Sequence, residues 1–278
     1  MPRIALVTGA NQGLGLSLAK FLAERLGTGD VVYLCARSKS KGDEASKSLG
    51  KSNAEVRTLT LDVTDDDSIS AAARHLKDSH GGVDIVASNA AARISKDSPQ
   101  VRQVRDFVAT NNHGSRNLYG ALEPLLNKGA RYVMVASSFG QLSRLDARLH
   151  VLFDTERLSL DDIEASMDRY VETMESGHAA DEGWPEWINI PSKIGQVATA
   201  RIAARDLARA RPLDGILVNA VCPGLMDTAA SRPWFDDMSG ALSPDEAAEP
   251  IVDLLLASAH EGQPSGQLVQ YGKTLPWL

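Results

Sequence analysis

Cysteine is nearly absent from this chain. Its 278 residues include two, Cys35 and Cys222, each inside an apolar run. They read as buried thiols and give no basis for a disulfide framework or a C-x-x-C site. Positive charge is in the minority, with 29 Lys and Arg against 36 Asp and Glu and a formal net charge of −7. No global basic field therefore invites nucleic acid or an anionic membrane surface. No apolar run is long enough to span a bilayer, and the first apolar stretch begins by Ile4, which leaves no room for a signal peptide. Internal repeats, low-complexity segments and metal-ligand spacings are also missing. These absences leave a cytoplasmic globular protein whose partner is a small molecule. An apolar content of 43% is enough for a sizeable core.

What is present is organised around Val7-Thr8-Gly9-Ala10-Asn11-Gln12-Gly13-Leu14-Gly15. An apolar run from Ile4 to Val7 precedes it. Leu14, Leu18, Phe21, Leu22 and Leu26 follow at helical spacing. A buried strand thus passes through a glycine-rich turn into a helix. Gly9 and Gly13 can adopt positive φ, and Gly15 lets the helix lie close to the sheet. The free N–H groups and the positive end of the helix suit a pyrophosphate. The spacing G-x-x-x-G-x-G differs from G-x-G-x-x-G but works by the same mechanics. Thr8, Gly9, Asn11, Gln12, Gly13, Leu14 and Gly15 are the candidate phosphate contacts; a purely structural tight turn is the competing reading.

The chain then alternates strands and helices. The strand Val31–Cys35 ends at Ala36-Arg37-Ser38, where a dinucleotide fold meets the adenosine ribose. An acidic residue there would accept from the 2′-OH. Arg37 and Lys41 instead suit a 2′-phosphate, so NADP fits better than NAD; a solvated basic loop is the alternative. The strand Val56–Leu61 leads to Asp62-Val63, with Asp62 read either as an adenine contact or as a turn residue. One of Asp65, Asp66 and Asp67 caps the next helix. The strand Asp84–Ser88 runs into Asn89-Ala90-Ala91, small residues over which a cofactor can pass. A helix from about Val101 to Leu126 is interrupted near Asn111 and Gly114. There Asn111 and Asn112 either break the helical hydrogen bonding to hold a water or a lysine, or face solvent. The strand Arg131–Ala136 ends at Ser137-Ser138, a candidate donor to substrate. Residues 143–188 interrupt the rhythm and read as a helical insertion that closes over the site as a lid. A helix over Ile190–Ala210 and a strand over Gly215–Val221 follow, ending in Pro223-Gly224-Leu225 and Thr228. Pro233 to Gly240 looks like a mobile substrate loop, Ser243 to Glu246 forms a capping box, and Gly266–Gln270 is the last strand. The pattern predicts one α/β domain over residues 1–278, a doubly wound Rossmann sheet of about seven parallel strands.

Taken together, Thr8-Gly9-x-x-x-Gly13-x-Gly15, Leu61-Asp62-Val63, Asn89-Ala90, Asn111-x-x-Gly114, Ser137-Ser138, Gly183-Trp184-Pro185, Lys193-Ile194-Gly195 and Cys222-Pro223-Gly224 resemble the short-chain dehydrogenase/reductase family. The resemblance covers nearly the whole chain and is nearest the monomeric NADPH-dependent carbonyl reductases. It implies NADP(H) as cofactor. It places Asn89 along the cofactor, and has Asn111 support Lys193 through water. By the same resemblance Ser138 binds the substrate oxygen, Lys193 holds the nicotinamide ribose, Leu225 faces the carboxamide and Thr228 helps hold the cofactor. Gln12 stands where the NADPH-dependent members often carry a lysine. The insertion covers the surface through which many members tetramerise, which implies a monomer.

One departure matters most. The family motif is Tyr-x-x-x-Lys, and four residues before Lys193 stands Asn189. An amide donates a hydrogen bond but transfers no proton usefully near neutral pH, and a positioned general acid is worth roughly 10²–10⁴-fold. Asn189 also has a structural reading, as the N-cap of a helix with Pro191 in its first turn. Three explanations follow. Another group supplies the proton: Ser138, a water on Asn189, or His150, Tyr170 or His178 of the insertion. Or the substrate is an iminium, which needs hydride alone. Or the NADP-bound protein runs redox-neutral chemistry or serves as a partner. Trp184, Trp187, Trp234 and Phe235 flank the expected pocket and suggest a bulky or aromatic ligand; packing of the insertion is the other explanation.

Overall fold

The structure is a computed structural model that describes residues 2–258 and 263–278. Its centre is a sheet with strand order 3-2-1-4-5-6-7-8. The strands are β1 (Ile4–Val7), β2 (Val31–Ala36), β3 (Glu55–Thr60), β4 (Val83–Ser88), β5 (Leu126–Val135), β6 (Leu217–Val221), β7 (Leu268–Gln270) and β8 (Lys273–Leu275). The first seven pair in parallel, as expected. An unexpected eighth, β8, turns back antiparallel on β7. It is only three residues long and two of them are exposed, so it carries no apolar signature.

The central strands are apolar without alternation because both faces are covered. In β1, Ile4 and Leu6 point to one face and Ala5 and Val7 to the other. The first face packs on α3 (Asp66–His80), α5 (Gly114–Leu122) and α8 (Asn189–Ala210). The second packs on α1 (Gly13–Arg25), α2 (Lys39–Ser48) and α9 (Pro244–Leu256). The strand order reverses between β1 and β4, and in such sheets the ligand crevice lies beyond the carboxyl ends at that reversal.

Two helix features place the site. α4 (Val104–Val108) runs into a π-helical turn over Ala109–His113 and then into α5. This is the break anticipated at Asn111, and it buries both Asn111 and Asn112, which excludes the solvent-facing reading. Asn112 is tied to α8, donating to the Ser192 carbonyl at 2.9 Å and accepting from the Ser192 hydroxyl at 2.8 Å. The second feature is the start of α8. Asn189 is its first helical residue; Ile188 takes the cap position and no side chain caps it. The N-cap role expected of Asn189 is therefore not taken.

The insertion folds as short 3₁₀ turns, α6 (Leu160–Glu175) and α7 (Ala179–Glu182). Ile163, Met167, Tyr170 and Val171 of α6 share a third core with Val104, Phe107 and Val108 of α4 and with Ile194, Ala198 and Ile202 of α8. It thus buttresses the outer side of α4 and α8. Of residues 143–188 only Trp187 reaches the ligand cavities, so the lid expected of this segment is not formed by α6. Among the described residues no helix is long and apolar enough to cross a membrane.

Candidate active site

Two cavities open beyond the carboxyl ends of the strands. The first is about 830 Å³ and is bounded by the glycine-rich turn, the ends of β2, β3 and β4, and Thr228. Gly9 and Gly13 take φ values of 61° and 54°, so the turn uses the conformations only glycine adopts readily. A Cβ on Gly15 would stand 2.5 Å from both the Asn89 side-chain nitrogen and the Gly9 carbonyl oxygen. Gln12 sits at the N-cap of α1 without a side-chain capping bond, so the first N–H groups of α1 are left for an anion. Asn11, Gln12, Gly13, Leu14 and Gly15 all line the space.

Thr8 does not line it. It is 1% exposed, and its hydroxyl accepts from the Asn89 and Ala90 backbone N–H groups at 2.8 and 2.9 Å. Thr8 fastens the end of β1 to the end of β4, so the direct contact expected of it becomes a structural tie. Asn89 reaches back, donating to the Thr8 carbonyl at 2.9 Å, and remains on the cavity wall with Ala90. Asp62 and Val63 line the same wall. The Asp62 carboxylate accepts from the Thr64 N–H at 3.0 Å and from its hydroxyl at 2.7 Å, so it is a turn residue that also borders the cavity.

Arg37 and Lys41 stand exposed at the rim. Lys39, between them, pairs with Asp43 at 2.8 Å, and Ser38 caps α2. Neither Arg37 nor Lys41 has a carboxylate partner among the described residues. Two unpaired cations and a helix N-terminus converge there, the donor set a phosphate monoester needs. A crowded glycine turn, a free helix end and two unpaired rim cations are a good fit to a dinucleotide that carries a 2′-phosphate.

The second cavity, about 440 Å³, shares Leu14, Asn89, Ala92, Arg93, Met226 and Thr228 with the first. Ser138, Asn111, Asn189, Lys193, Pro223, Gly224 and Leu225 all line it. Ser138 lies at the end of β5, anchored through its backbone N–H to the Cys222 sulfur at 3.1 Å. Lys193, partly buried one turn along α8 from Asn189, donates to the Val135 carbonyl at 3.1 Å and to the Gln196 side-chain oxygen at 2.7 Å. Burial holds the ammonium down to about 8, while nearby Cys222 acts in the opposite direction. The tie from Asn111 to Lys193 is absent as a direct contact. The Asn111 side-chain oxygen accepts from the Ala92 N–H at 2.8 Å, and its buried side-chain nitrogen has no partner.

The aromatic wall divides. Trp187 stacks near Trp234, with ring centres 5.9 Å apart, and meets Phe139 and Phe235 edge-on. All four line the second cavity. Trp184 does not; it is 3% exposed in the insertion core beside Phe153 and Tyr170. Tyr170 is fully buried there, with its phenol pushed up by burial, and His150 is bonded to the Leu145 carbonyl at 3.2 Å. Neither these nor His178 lines the cavity, so the insertion supplies no substitute acid. Reading the sequence missed Phe139, Arg93 and Gln196. For Gln196 the available signal was its place three residues after Lys193 on the same helix face.

This geometry, a dinucleotide cleft opening onto a serine–lysine pocket, defines a class of nicotinamide-linked oxidoreductases, and the chain belongs to the short-chain dehydrogenase/reductase family. A family model described as short chain dehydrogenase matches residues 3–147. The chain is 34% identical to Carbonyl reductase [NADPH] 1 of Mus musculus, over 99% of this chain and 98% of that protein. It is 34% identical to Carbonyl reductase [NADPH] 1 of Homo sapiens over the same shares. Among solved structures, salutaridine reductase from Papaver somniferum superposes with a TM-score of 0.77 at 27% identity, covering 96% of this chain and 99% of that one.

Proposed function

We propose that the chain is an NADPH-dependent reductase of bulky or aromatic carbonyl compounds, working as a cytoplasmic monomer. The observation that carries this reading is the sign of charge in the second cavity. Its charged lining residues are Arg93 and Lys193, with no carboxylate. Such a wall stabilises the alkoxide that forms when a ketone accepts hydride, and it repels a cationic iminium. A third cation, Lys96, already lies 5.4 Å from the centre of the Trp234 ring, on the aromatic surface an iminium would use.

NADPH, when bound, supplies the hydride. Gly9, Gly13 and the start of α1 would hold its pyrophosphate, and Arg37 and Lys41 its 2′-phosphate. Ser138 holds the substrate oxygen, and Trp187, Trp234, Phe139 and Phe235 orient the ring system while keeping water from it.

The test measures NADPH oxidation with an aryl ketone and with a cyclic iminium of matched size. Faster turnover of the ketone is expected; equal or faster iminium turnover overturns the carbonyl reading, and no oxidation with either overturns the reductase reading in favour of a redox-neutral role. Asn189→Tyr should raise ketone turnover by less than the roughly 10²–10⁴-fold that an acid contributes where none was present, and should leave iminium turnover nearly unchanged.

A further inference from the structure

We infer that Lys193 is itself the proton donor of the reduction, and that Gln196 is the residue that positions it for that role. The inference rests on the reductase reading above.

Asn189 stands one helical turn before Lys193 on the same face, and an amide has no proton to give near neutral pH. A replacement must line the second cavity and titrate in a useful range. The other groups there that titrate or carry charge are Arg93 and Cys222. An arginine keeps its proton at any working pH. Cys222 is 4% exposed, and its sulfur already accepts the Ser138 N–H. Asp62 and Asp106 belong to the dinucleotide cavity alone.

Lys193 meets the requirements. An ammonium has three N–H donors. Two are spent on neutral acceptors, the Val135 carbonyl and the Gln196 amide oxygen, which leaves one for the cavity. The elements packed around it present the Val135 carbonyl from β5, Cys222 from the turn after β6, Ser138 from the turn after β5 and Asn111 from the π turn. None is a carboxylate that would hold the proton. Burial brings the ammonium to about 8, near the range in which acid catalysis is most effective. Gln196 is 1% exposed, and its amide nitrogen is held by the Ser115 hydroxyl at 3.3 Å, which turns its oxygen toward Lys193.

The step balances. As hydride reaches the carbonyl carbon, the C=O electron pair moves onto oxygen. An Nζ–H bond breaks, an O–H bond forms, and the neutral amine regains a proton from solvent once the product has left.

In the cofactor-free protein labelled at lysine Cε, the NMR resonance missing from Lys193→Arg should titrate near 8; titration at the ordinary lysine value, about 10.4, overturns the inference. In wild type, kcat/KM for a neutral activated ketone should fall about tenfold per pH unit above that midpoint, because the active form is the protonated one. Lys193→Arg keeps the charge but releases no proton. It should bind NADPH within about threefold of wild type by fluorescence titration, lose at least about tenfold in turnover, and show no fall between pH 7 and 10. Gln196→Met leaves the lysine in place and removes an acceptor that favours the ammonium, so the fall should move to lower pH. A wild-type rate flat to pH 10, or a Gln196→Met profile that coincides with wild type, overturns the inference. If Lys193→Arg loses NADPH binding, the NMR titration and the Gln196→Met profile decide alone. Absence of any ketone turnover in wild type defeats the carbonyl reading instead, and the NMR titration still reports on the lysine.

Discussion

The two cavities are built of different material. The dinucleotide cleft is made largely of backbone: the φ-positive turn at Gly9 and Gly13, the free end of α1, and the small residues Asn89 to Ala91 after β4. The substrate pocket is made of side chains that converge from β5, the π turn, the start of α8 and the loop carrying Trp234 and Phe235. A backbone site depends on where atoms cannot be. A side-chain site depends on which groups are present, so one exchange such as Asn189 changes its chemistry while the fold around it stays intact.

Three substitutions sharpen this contrast. The largest effect is expected from Gly15→Val. Its branched side chain begins 2.5 Å from the Gly9 carbonyl oxygen, which is backbone and cannot swing aside. NADPH affinity by calorimetry should fall at least about 100-fold, close to 3 kcal/mol, and retained affinity would break the claim that exclusion shapes the cleft. Next is Arg37→Asp. Losing a charge-assisted bond to the 2′-phosphate should weaken NADPH about 10- to 100-fold and leave NADH nearly unaffected; unchanged preference between the two refutes the assignment of that rim. The smallest is Trp234→Ala. Removing one partner of the Trp187 stack should raise KM for an aryl ketone about 2- to 10-fold. The NADPH dissociation constant should not move, and a parallel change in both would show that the cavities are not separable.

The same contrast explains what could be read before the fold was known. The central parallel strands β1, β2 and β4 are legible because burial on both faces makes them largely continuous apolar runs, and the cleft because its glycines are geometric necessities. The three residues of β8, with Lys273 and Thr274 exposed, carry no such mark. Its pairing with β7 depends on the turn at Tyr271-Gly272, whose residues both have positive φ. The apolar face of α6 is visible as periodicity, but periodicity does not say what the face packs against. The insertion was therefore expected above the site and instead lies beside it. Gln196 is hidden for a related reason: a glutamine three residues from a lysine is common, and only the Ser115 contact from another helix shows it to be fixed.

The Thr8 hydroxyl has a consequence for the order of folding. It accepts from the backbone of Asn89 and Ala90, more than 80 positions along the chain. The phosphate turn is local in sequence, yet its final shape waits on the arrival of β4. Contacts of such separation form late because a long loop must close first. During synthesis the chain should gain affinity for its dinucleotide only after β4 has emerged and docked, long after the glycine-rich turn itself exists.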